Sequence, residues 1–316
     1  MDQLRRDPIV GRWVIAFTDN PRKPEQFKID SKEEKKRSCP FCYSQAKWST
    51  RVVPNKYPAL TVEGELDRQG LGMYDQLRGV GSHEIIIETP DHRLSLADLP
   101  VHHLEKVIWA YRDRSADLGA DQRFRYIMVF KNQGFSAGAS LSHSHTQLIA
   151  LPMIPKNVKE ELRGARAYFE FKERCIFCDM ITQERDEQKR MVGENSRFIA
   201  FAPFCSRFPF EVWILPKEHH SDFCDVKTED VIELAKMLKE VLQRIKSVFR
   251  DPPYNFIIHT GPIQEANRED YHWHIEIMPK LLPVAGFEWG SGFYINPTPP
   301  ENAAKYLREV KIAGLN

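Results

Sequence analysis

Residues 139–152, ASLSHSHTQLIALP, carry the side chains of this chain that are best suited to chemistry. His143, His145 and Gln147 occupy every second position, and an apolar run that ends at Pro152 follows them. Alternation with period two places side chains on one face of a β-strand, so we expect the three polar groups to lie together where a strand begins. An isolated pair of this kind is also typical of a strand edge with solvated histidines.

Two cysteine pairs supply a second set of reactive groups. The chain has six cysteines, of which four form the pairs CPFC (Cys39, Cys42) and CIFC (Cys175, Cys178). Neither pair lies between a strand and a helix of a βαβ pattern, which is where a thioredoxin-like redox pair is found. The spacing therefore predicts thiolate metal ligands.

The same parts occur in the same order in both halves of the chain. Each half has a cysteine pair, a strand that ends at a histidine, a long helix, a further strand and a histidine pair with period two. Cys39 precedes His143 by 104 residues, and Cys175 precedes His272 by 97. This order predicts a duplicated α+β unit with antiparallel strands. In the second copy we expect an amphipathic helix capped by Thr228.

The duplication also predicts two metal sites. Two cysteines and two histidines form the closed tetrahedral set of a structural zinc ion. The predicted ligands are Cys39, Cys42, His92 and His143 at site one, and Cys175, Cys178, His219 and His272 at site two. His83 is an alternative to His92, and His220 lies next to His219.

Composition limits the classes of protein to which the chain can belong. Its 316 residues are 42% hydrophobic and 28% charged, with a formal net charge of +1. These values are typical of a globular protein with two domains. The charge balance gives no electrostatic footprint for nucleic acid. We find no signal peptide and no apolar run long enough for a membrane span, and we expect a cytoplasmic protein.

Longer motifs around the histidines resemble a known family. NQGFSAGASLSHSHTQ (132–147) resembles the signature of the hexose-1-phosphate nucleotidylyltransferases, the galactose-1-phosphate uridylyltransferase family of the histidine-triad superfamily. The segments RDPIVGRWVIAF, VVPNKYPAL and AGFEWGSGFYINPTPPE are similar to its opening strand, its nucleoside-contacting strand and its sugar-contacting tail. The resemblance implies two tandem histidine-triad-like units, at 1–155 and 156–316, with antiparallel sheets flanked by helices. It also implies a homodimer.

The resemblance implies exchange of a nucleoside monophosphate between a nucleotide sugar and a hexose 1-phosphate, in the commonest case UDP-glucose and galactose 1-phosphate. A neutral imidazole is a nucleophile at pH 7 and a good leaving group, so it can carry the nucleotidyl group covalently. With His143 bound to zinc, His145 is the expected nucleophile. Gln147 would donate a hydrogen bond to a phosphoryl oxygen.

Further substrate contacts follow from the same resemblance. The small-residue loop before the histidines would hold phosphates with its backbone N–H groups. Arg22 would lie near the diphosphate, Asn55 near the nucleoside, and Phe287 and Glu288 near the hexose. The substrate-binding residues so implied are Arg22, Asn55, Asn132, Gln133, Gly134, Ser140, Gln147, Phe287 and Glu288.

Three departures from the commonest uridylyltransferase pattern put the base in doubt. Ser144 replaces a proline, and a cysteine pair with Glu276 replaces a histidine-rich iron site. The tail is more similar to the branch that transfers adenylyl from ADP-glucose to phosphate. An ADP-glucose phosphorylase and a histidine-triad nucleotide hydrolase are therefore alternatives. A non-enzymatic zinc module that binds nucleic acid or protein is disfavoured by the charge balance and by Gln147.

Overall fold

The computed structural model describes residues 1–29, 39–42, 48–265 and 267–312. Its strands are β1 Gln3–Arg6, β2 Trp13–Ala16, β3 Arg51–Pro54, β4 Gln69–Leu71, β5 Tyr74–Gln76, β6 Ser82–Ile87, β7 Tyr126–Gln133, β8 His145–Leu151, β9 Met191–Glu194, β10 Phe198–Phe201, β11 Val212–Pro216, β12 Tyr254–His259, β13 His274–Pro279 and β14 Tyr294–Asn296. Its α-helices are α1 Val101–Gly119, α2 Lys156–Lys172, α3 Ile176–Glu187, α4 Thr228–Phe249, α5 Gly286–Ser291 and α6 Pro300–Glu309.

Nine strands form one antiparallel sheet in the order β3-β6-β8-β7-β12-β13-β11-β10-β9. The first half of the chain supplies the first four of these strands, and the second half supplies the other five. The halves meet where β7 pairs with β12, with Phe130 opposite Ile257. The predicted α+β class with antiparallel strands is confirmed, and the two halves share a single sheet.

Helices α1 and α4 cover one face of this sheet. The buried positions of α4 recur at helical spacing, as in Leu234, Leu238, Val241 and Ile245, because this stripe packs on the common core. That core includes strand residues from both halves. The predicted capping role of Thr228 is wrong by one position: Lys227 is the N-cap and Thr228 is the first helical residue.

The other face is covered unequally. Over the second half, α2 and α3 pack on β10 and β11 through a separate cluster that includes Ile199 and Trp213. Over the first half, the described residues form a smaller buried cluster of Phe41, Ile85 and Ile87. This half of the face carries the predicted catalytic strand.

The start and the tail of the chain meet in a second, smaller sheet. It has the order β1-β2-β14, and β14 runs parallel to β2. In the described ranges, no helix is both long enough and apolar enough to cross a membrane.

Candidate active site and metal centres

The residues of the first predicted metal site lie together where β6 ends and β8 begins. The thiol and imidazole ligand atoms of Cys39, Cys42, His92 and His143 all lie within 4.8 Å of one another. His92 lies five residues beyond the end of β6, and His143 lies two residues before β8 begins. The turn that contains His92 brings it back to the cysteine pair. His83, the alternative ligand, lies on β6 and faces Gln147 instead.

The second group repeats this arrangement. Cys175, Cys178, His219 and His272 also have their ligand atoms within 4.8 Å. Cys175 is the N-cap of α3, and His272 lies just before β13. The Sγ atom of Cys178 lies 3.4 Å from Nδ1 of His219 and 3.6 Å from Nδ1 of His272.

The separations within both groups fit a tetrahedral zinc ion. Zn–S and Zn–N bonds of about 2.3 and 2.0 Å at a tetrahedral angle place sulfur and nitrogen about 3.5 Å apart. At site one, Nδ1 of His143 lies 3.6 Å from both sulfur atoms, and Nδ1 of His92 lies 3.3 Å from Cys42 Sγ. The donor set of each group is therefore suited to zinc.

In all four histidines Nδ1 faces a cysteine sulfur of the same group. Their Nε2 atoms lie 2.7 to 3.0 Å from oxygens outside the group, which can accept the Nε2 protons: Ser142 Oγ for His92, Thr89 O for His143, Arg268 O for His219 and Pro216 O for His272. A protonated Nε2 leaves Nδ1 as the lone-pair donor, which is the usual state of a metal-bound histidine.

His145, the predicted nucleophile, begins β8 and is 5% exposed. Its Nδ1 donates to the backbone oxygen of His143 at 2.7 Å, so Nε2 carries the lone pair in the neutral ring. Burial lowers the pKa of the His145 imidazole, and the positive charge of Lys131 lowers it further. The ring of Phe41 packs against it at a centroid distance of 5.5 Å. This geometry fits a neutral nucleophile.

A buried ion pair lies behind the nucleophile. Lys131 and Glu88 are both fully buried, and their charged atoms are 2.8 Å apart. Lys131 Nζ also donates to Ser144 Oγ at 3.1 Å and to the backbone oxygen of His145 at 3.0 Å. Ser144 in turn donates to Glu88. Ser144 is thus tied to this pair by hydrogen bonds to both partners.

Gln147 lies on the same face of β8 as His145, two residues further on. Its Oε1 is 2.9 Å from Nε2 of His83, and the side-chain nitrogen of Asn55 is 3.0 Å from the same Nε2. The structure therefore brings together His83 of β6, Gln147 of β8 and Asn55, which directly follows β3.

The small-residue loop between β7 and β8 is a tight turn. The N–H groups of Ala137, Gly138 and Ala139 already bond to backbone oxygens within the turn. These three N–H groups are therefore used within the loop, and phosphate binding by its other residues stays a prediction. Asn255 donates to Asn132 Oδ1 and to the Ala137 oxygen, both at 2.8 Å.

Gly134 and Ser140 lie in the loop between β7 and β8, and Gln133 lies at its start. Gly134 has a positive φ of 81°, and a Cβ there would lie 2.8 Å from Pro253, so this position suits glycine. Gln133 is the last residue of β7, and Ser140 is exposed.

Arg22, Phe287 and Glu288 lie apart from this group. The Arg22 guanidinium packs over Phe27, and its backbone bonds to Pro297 and Thr298. Phe287 is 48% exposed, and Glu288 accepts the Ala285 N–H at the start of α5. Among the described contacts, none joins these three residues to His145.

The second histidine pair has the same backbone geometry and a different environment. Nδ1 of His274 lies 3.1 Å from the His272 oxygen, as in the first pair. Its ring is fully buried and stacks between Trp213 and His259, at centroid distances of 4.8 and 4.7 Å. Its Nε2 faces Glu161 of α2 at 3.5 Å. The His274 ring is therefore enclosed by its neighbours.

The neighbours of His274 form a charged cluster. Burial alone would lower the pKa of His259, yet Glu276 and Glu161 raise it to about 10. A cavity of about 380 Å³ borders this cluster. A second cavity, of about 620 Å³, lies between the segment that connects β1 to β2 and helix α3. No predicted site residue lines either of these two cavities.

Sequence reasoning missed several residues that support the site. They are Phe41, Glu88, Lys131 and Asn255, and His83 in its contact with Gln147. A signal existed for one of them: Lys131 follows the apolar run YIMVF and is the one charged residue of β7. A lysine in a buried strand requires a partner. The partner, Glu88, is 43 residues away, and sequence alone does not pair them.

Comparison with known proteins places the chain among nucleotidyltransferases. The family model for the N-terminal domain of galactose-1-phosphate uridyl transferase matches residues 2–155, and the model for its C-terminal domain matches 161–305. An ADP-glucose phosphorylase from Arabidopsis thaliana is 38% identical over 98% of this chain and 93% of its own length. A galactose-1-phosphate uridylyltransferase from Thermotoga maritima is 31% identical, with 99% of both chains covered.

A solved structure agrees with these sequence matches. The crystal structure of an ADP-glucose phosphorylase from Arabidopsis thaliana with bound ADP-glucose superposes with a TM-score of 0.83 at 36% identity, covering 99% of this chain and all of that one. With both family models matched in order along nearly the whole chain, the protein belongs to the galactose-1-phosphate uridyl transferase family.

Proposed function

We propose that the chain is a nucleotidylyltransferase that works by double displacement through a covalent nucleotidyl-His145. Nε2 of His145 attacks the α-phosphorus of a nucleotide sugar, and a P–N bond forms. The P–O bond to the β-phosphate breaks, and the hexose 1-phosphate leaves with its electron pair. A second hexose 1-phosphate then attacks the same phosphorus, and the neutral imidazole leaves.

The observation that carries this proposal is the placement of the His145 proton on Nδ1, which leaves the lone pair on Nε2. Its Nδ1 proton is held by the His143 oxygen at 2.7 Å, and burial lowers the pKa of the ring. The lone pair is therefore on Nε2 and is available at neutral pH. Gln147 follows on the same face, where its amide can donate to a phosphoryl oxygen as charge develops.

The substrates proposed first are UDP-glucose and galactose 1-phosphate, the pair that the family resemblance implies. Adenylyl transfer from ADP-glucose to phosphate is a second candidate. The Arabidopsis ADP-glucose phosphorylase is 38% identical to this chain, against 31% for the Thermotoga uridylyltransferase. The first half-reaction is the same in both cases, so His145 has the same role.

We propose that both cysteine–histidine groups hold structural zinc. The donor sets and the sulfur–nitrogen separations support this assignment. Bound zinc would tether the cysteine arm to the end of the sheet and fix the rotamer of His143, whose backbone oxygen holds His145. The first unit, 1–155, would carry the chemistry, and the second, 156–316, the second zinc site.

We further propose a homodimer in which the tail completes a partner's site. The support is that Phe287 and Trp289 of α5 are 48% and 78% exposed, and that α5 makes no described contact with His145. Gln133 and Ser140 would contact phosphate through the loop, and Arg22 would approach a diphosphate in the assembled dimer. Sedimentation at twice the chain mass is the expected result.

Intact-mass spectrometry tests the central step. The protein is mixed separately with UDP-glucose and with ADP-glucose, and we expect one nucleoside monophosphate to be added per chain. His145→Ala should abolish the adduct. His102→Ala, at an exposed position on α1, is the matched control and should retain it.

The mass of the adduct identifies the base. UMP addition supports uridylyl exchange, and AMP addition supports the second candidate. Nucleotide release without any adduct, in fully metallated protein, would favour hydrolysis and contradict the covalent mechanism.

A further inference from the structure

His83 lies beside Gln147 on the same face of the sheet. In the antiparallel ladder Ile85 is opposite Gln147 and His83 is opposite Ile149, and paired residues point to the same side of a sheet. His83 is therefore the diagonal neighbour of Gln147. Its Nε2 is 2.9 Å from Oε1 of Gln147.

The backbone fixes the tautomer of His83. The N–H of Ala59 points at Nδ1 of His83 at 3.1 Å, and a backbone N–H can only donate. Nδ1 must therefore accept, and the proton of the neutral ring lies on Nε2. This proton is directed at Gln147, so Oε1 of Gln147 accepts it.

Asn55 is the second neighbour of His83 and does not change this assignment. Its Oδ1 accepts the N–H of Tyr57 at 2.9 Å, so its side-chain nitrogen can only donate. That nitrogen lies 3.0 Å from Nε2 of His83, but two donors form no hydrogen bond. The same nitrogen also lies 3.5 Å from Nδ1 of His83. The Ala59 N–H is fixed by the chain, whereas the Asn55 side chain can change rotamer, so the backbone donor sets the tautomer.

We propose that His83 is a positioning residue that sets the orientation of the Gln147 amide. An amide side chain can present either its oxygen or its nitrogen to a ligand. Because His83 holds the oxygen, the NH₂ group faces the position of the phosphoryl oxygen. Without His83, the Gln147 oxygen can face that position and repel the developing negative charge. This inference rests on the proposed nucleotidyl transfer, in which Gln147 is the donor.

A double-mutant cycle on the first half-reaction tests the inference. Rapid-quench kinetics give the rate of adduct formation on His145 for the wild type, His83→Leu, Gln147→Ala and the double variant. Loss of an oxyanion donor costs about 10²–10³-fold, and we expect His83→Leu to slow adduct formation on the order of tenfold. In the Gln147→Ala background, His83→Leu should have no further effect.

Two further variants separate positioning from folding. His83→Gln restores a donor of similar reach and should recover part of the rate. His102→Leu, an exposed histidine exchanged in the same way, should leave the rate unchanged. The KM for the nucleotide sugar should change little, since the contact acts on the transition state.

The outcomes distinguish this inference from the function on which it rests. If the wild type forms no adduct, the proposed function fails and this inference fails with it. The positioning role alone is overturned by either of two results in a wild type that forms the adduct. In the first, His83→Leu forms the adduct as fast as the wild type. In the second, the free-energy effects of His83→Leu and Gln147→Ala on this rate are additive. If His83→Leu does not fold, ¹⁵N NMR of the wild type decides, because a His83 ring protonated on Nδ1 contradicts the argument.

Discussion

At the scale of single residues, the unusual feature is a buried ion pair behind the nucleophile. Burial alone would raise the pKa of Glu88, yet Lys131 with Ser144 and Thr146 holds that pKa below its usual value. The charged atoms of the pair lie 2.8 Å apart, and Lys131 also holds the His145 carbonyl. A charged pair in a dry core adds little net stability, but loss of one partner leaves an unpaired charge.

Lys131→Met is expected to destabilise the fold by about 3–5 kcal/mol, since Glu88 would be left buried without its partner. Lys131→Met with Glu88→Gln should cost less than the single change. Urea unfolding at fixed zinc concentration measures both. Lys305→Met, which removes an exposed ion pair with Glu309 at 4.0 Å, is the control and should cost less than about 1 kcal/mol. Equal losses for the single and the double variant would contradict the proposed pairing.

Residue types at fixed spacing predicted the local parts of the site. The period-two histidines and the two cysteine pairs indicated which side chains would converge, and the structure brings both sets of four together. The contact of Glu88 with Lys131 spans 43 residues, and that of His83 with Gln147 spans 64. Such contacts depend on strand register, which follows from the packing of the whole sheet and not from a local pattern.

At the scale of elements, the two cysteine–histidine groups differ in how deeply their cysteines are buried. At site one, Cys42 is exposed and the cysteine pair lies on an arm outside the sheet. At site two, Cys175 is 6% exposed, because it caps α3 under the cluster that covers the second half of the face. A chelator therefore reaches the first group more easily.

Metal release to a chromogenic chelator should occur in two phases, one equivalent per chain each, with the faster phase from site one. Cys42→Ser should remove the fast phase and Cys178→Ser the slow one. Cys205→Ser, a buried cysteine outside both groups, should keep both phases. Transfer activity should decline with the fast phase, because His143 belongs to that group and holds His145. A total of less than one metal per chain would contradict the two-site proposal.

Element boundaries were less predictable than element types. His92 was expected at the end of its strand, but β6 ends at Ile87, and a turn brings His92 back to the cysteines. The loop before β8 has the glycines expected for a close approach, yet the N–H groups of Ala137, Gly138 and Ala139 bond within the turn. Both differences arise where local hydrogen bonds compete with the regular ladder.

At the scale of the whole molecule, the two halves of the chain build one common sheet and one common hydrophobic core. Strands β7 and β12 pair along Tyr254 to Ile258, and helices α1 and α4 share one core with strands of both halves. Sequence indicated the duplication but not the shared sheet, because a strand pattern does not specify its neighbour in a distant unit. The same face of the sheet then carries both histidine pairs.

This shared core predicts that the chain unfolds as one cooperative unit when zinc is held in excess. Circular dichroism and tryptophan fluorescence should report coincident urea transitions, which is the test of two-state behaviour. Leu104→Ala on α1 and Leu238→Ala on α4, both at buried positions of the common core, should each lower stability by about 2–5 kcal/mol. Because each side chain contacts a core that both halves build, either change should shift the whole transition. Two separated transitions, only one of which moves with Leu104→Ala, would show that the halves unfold independently in spite of their common sheet.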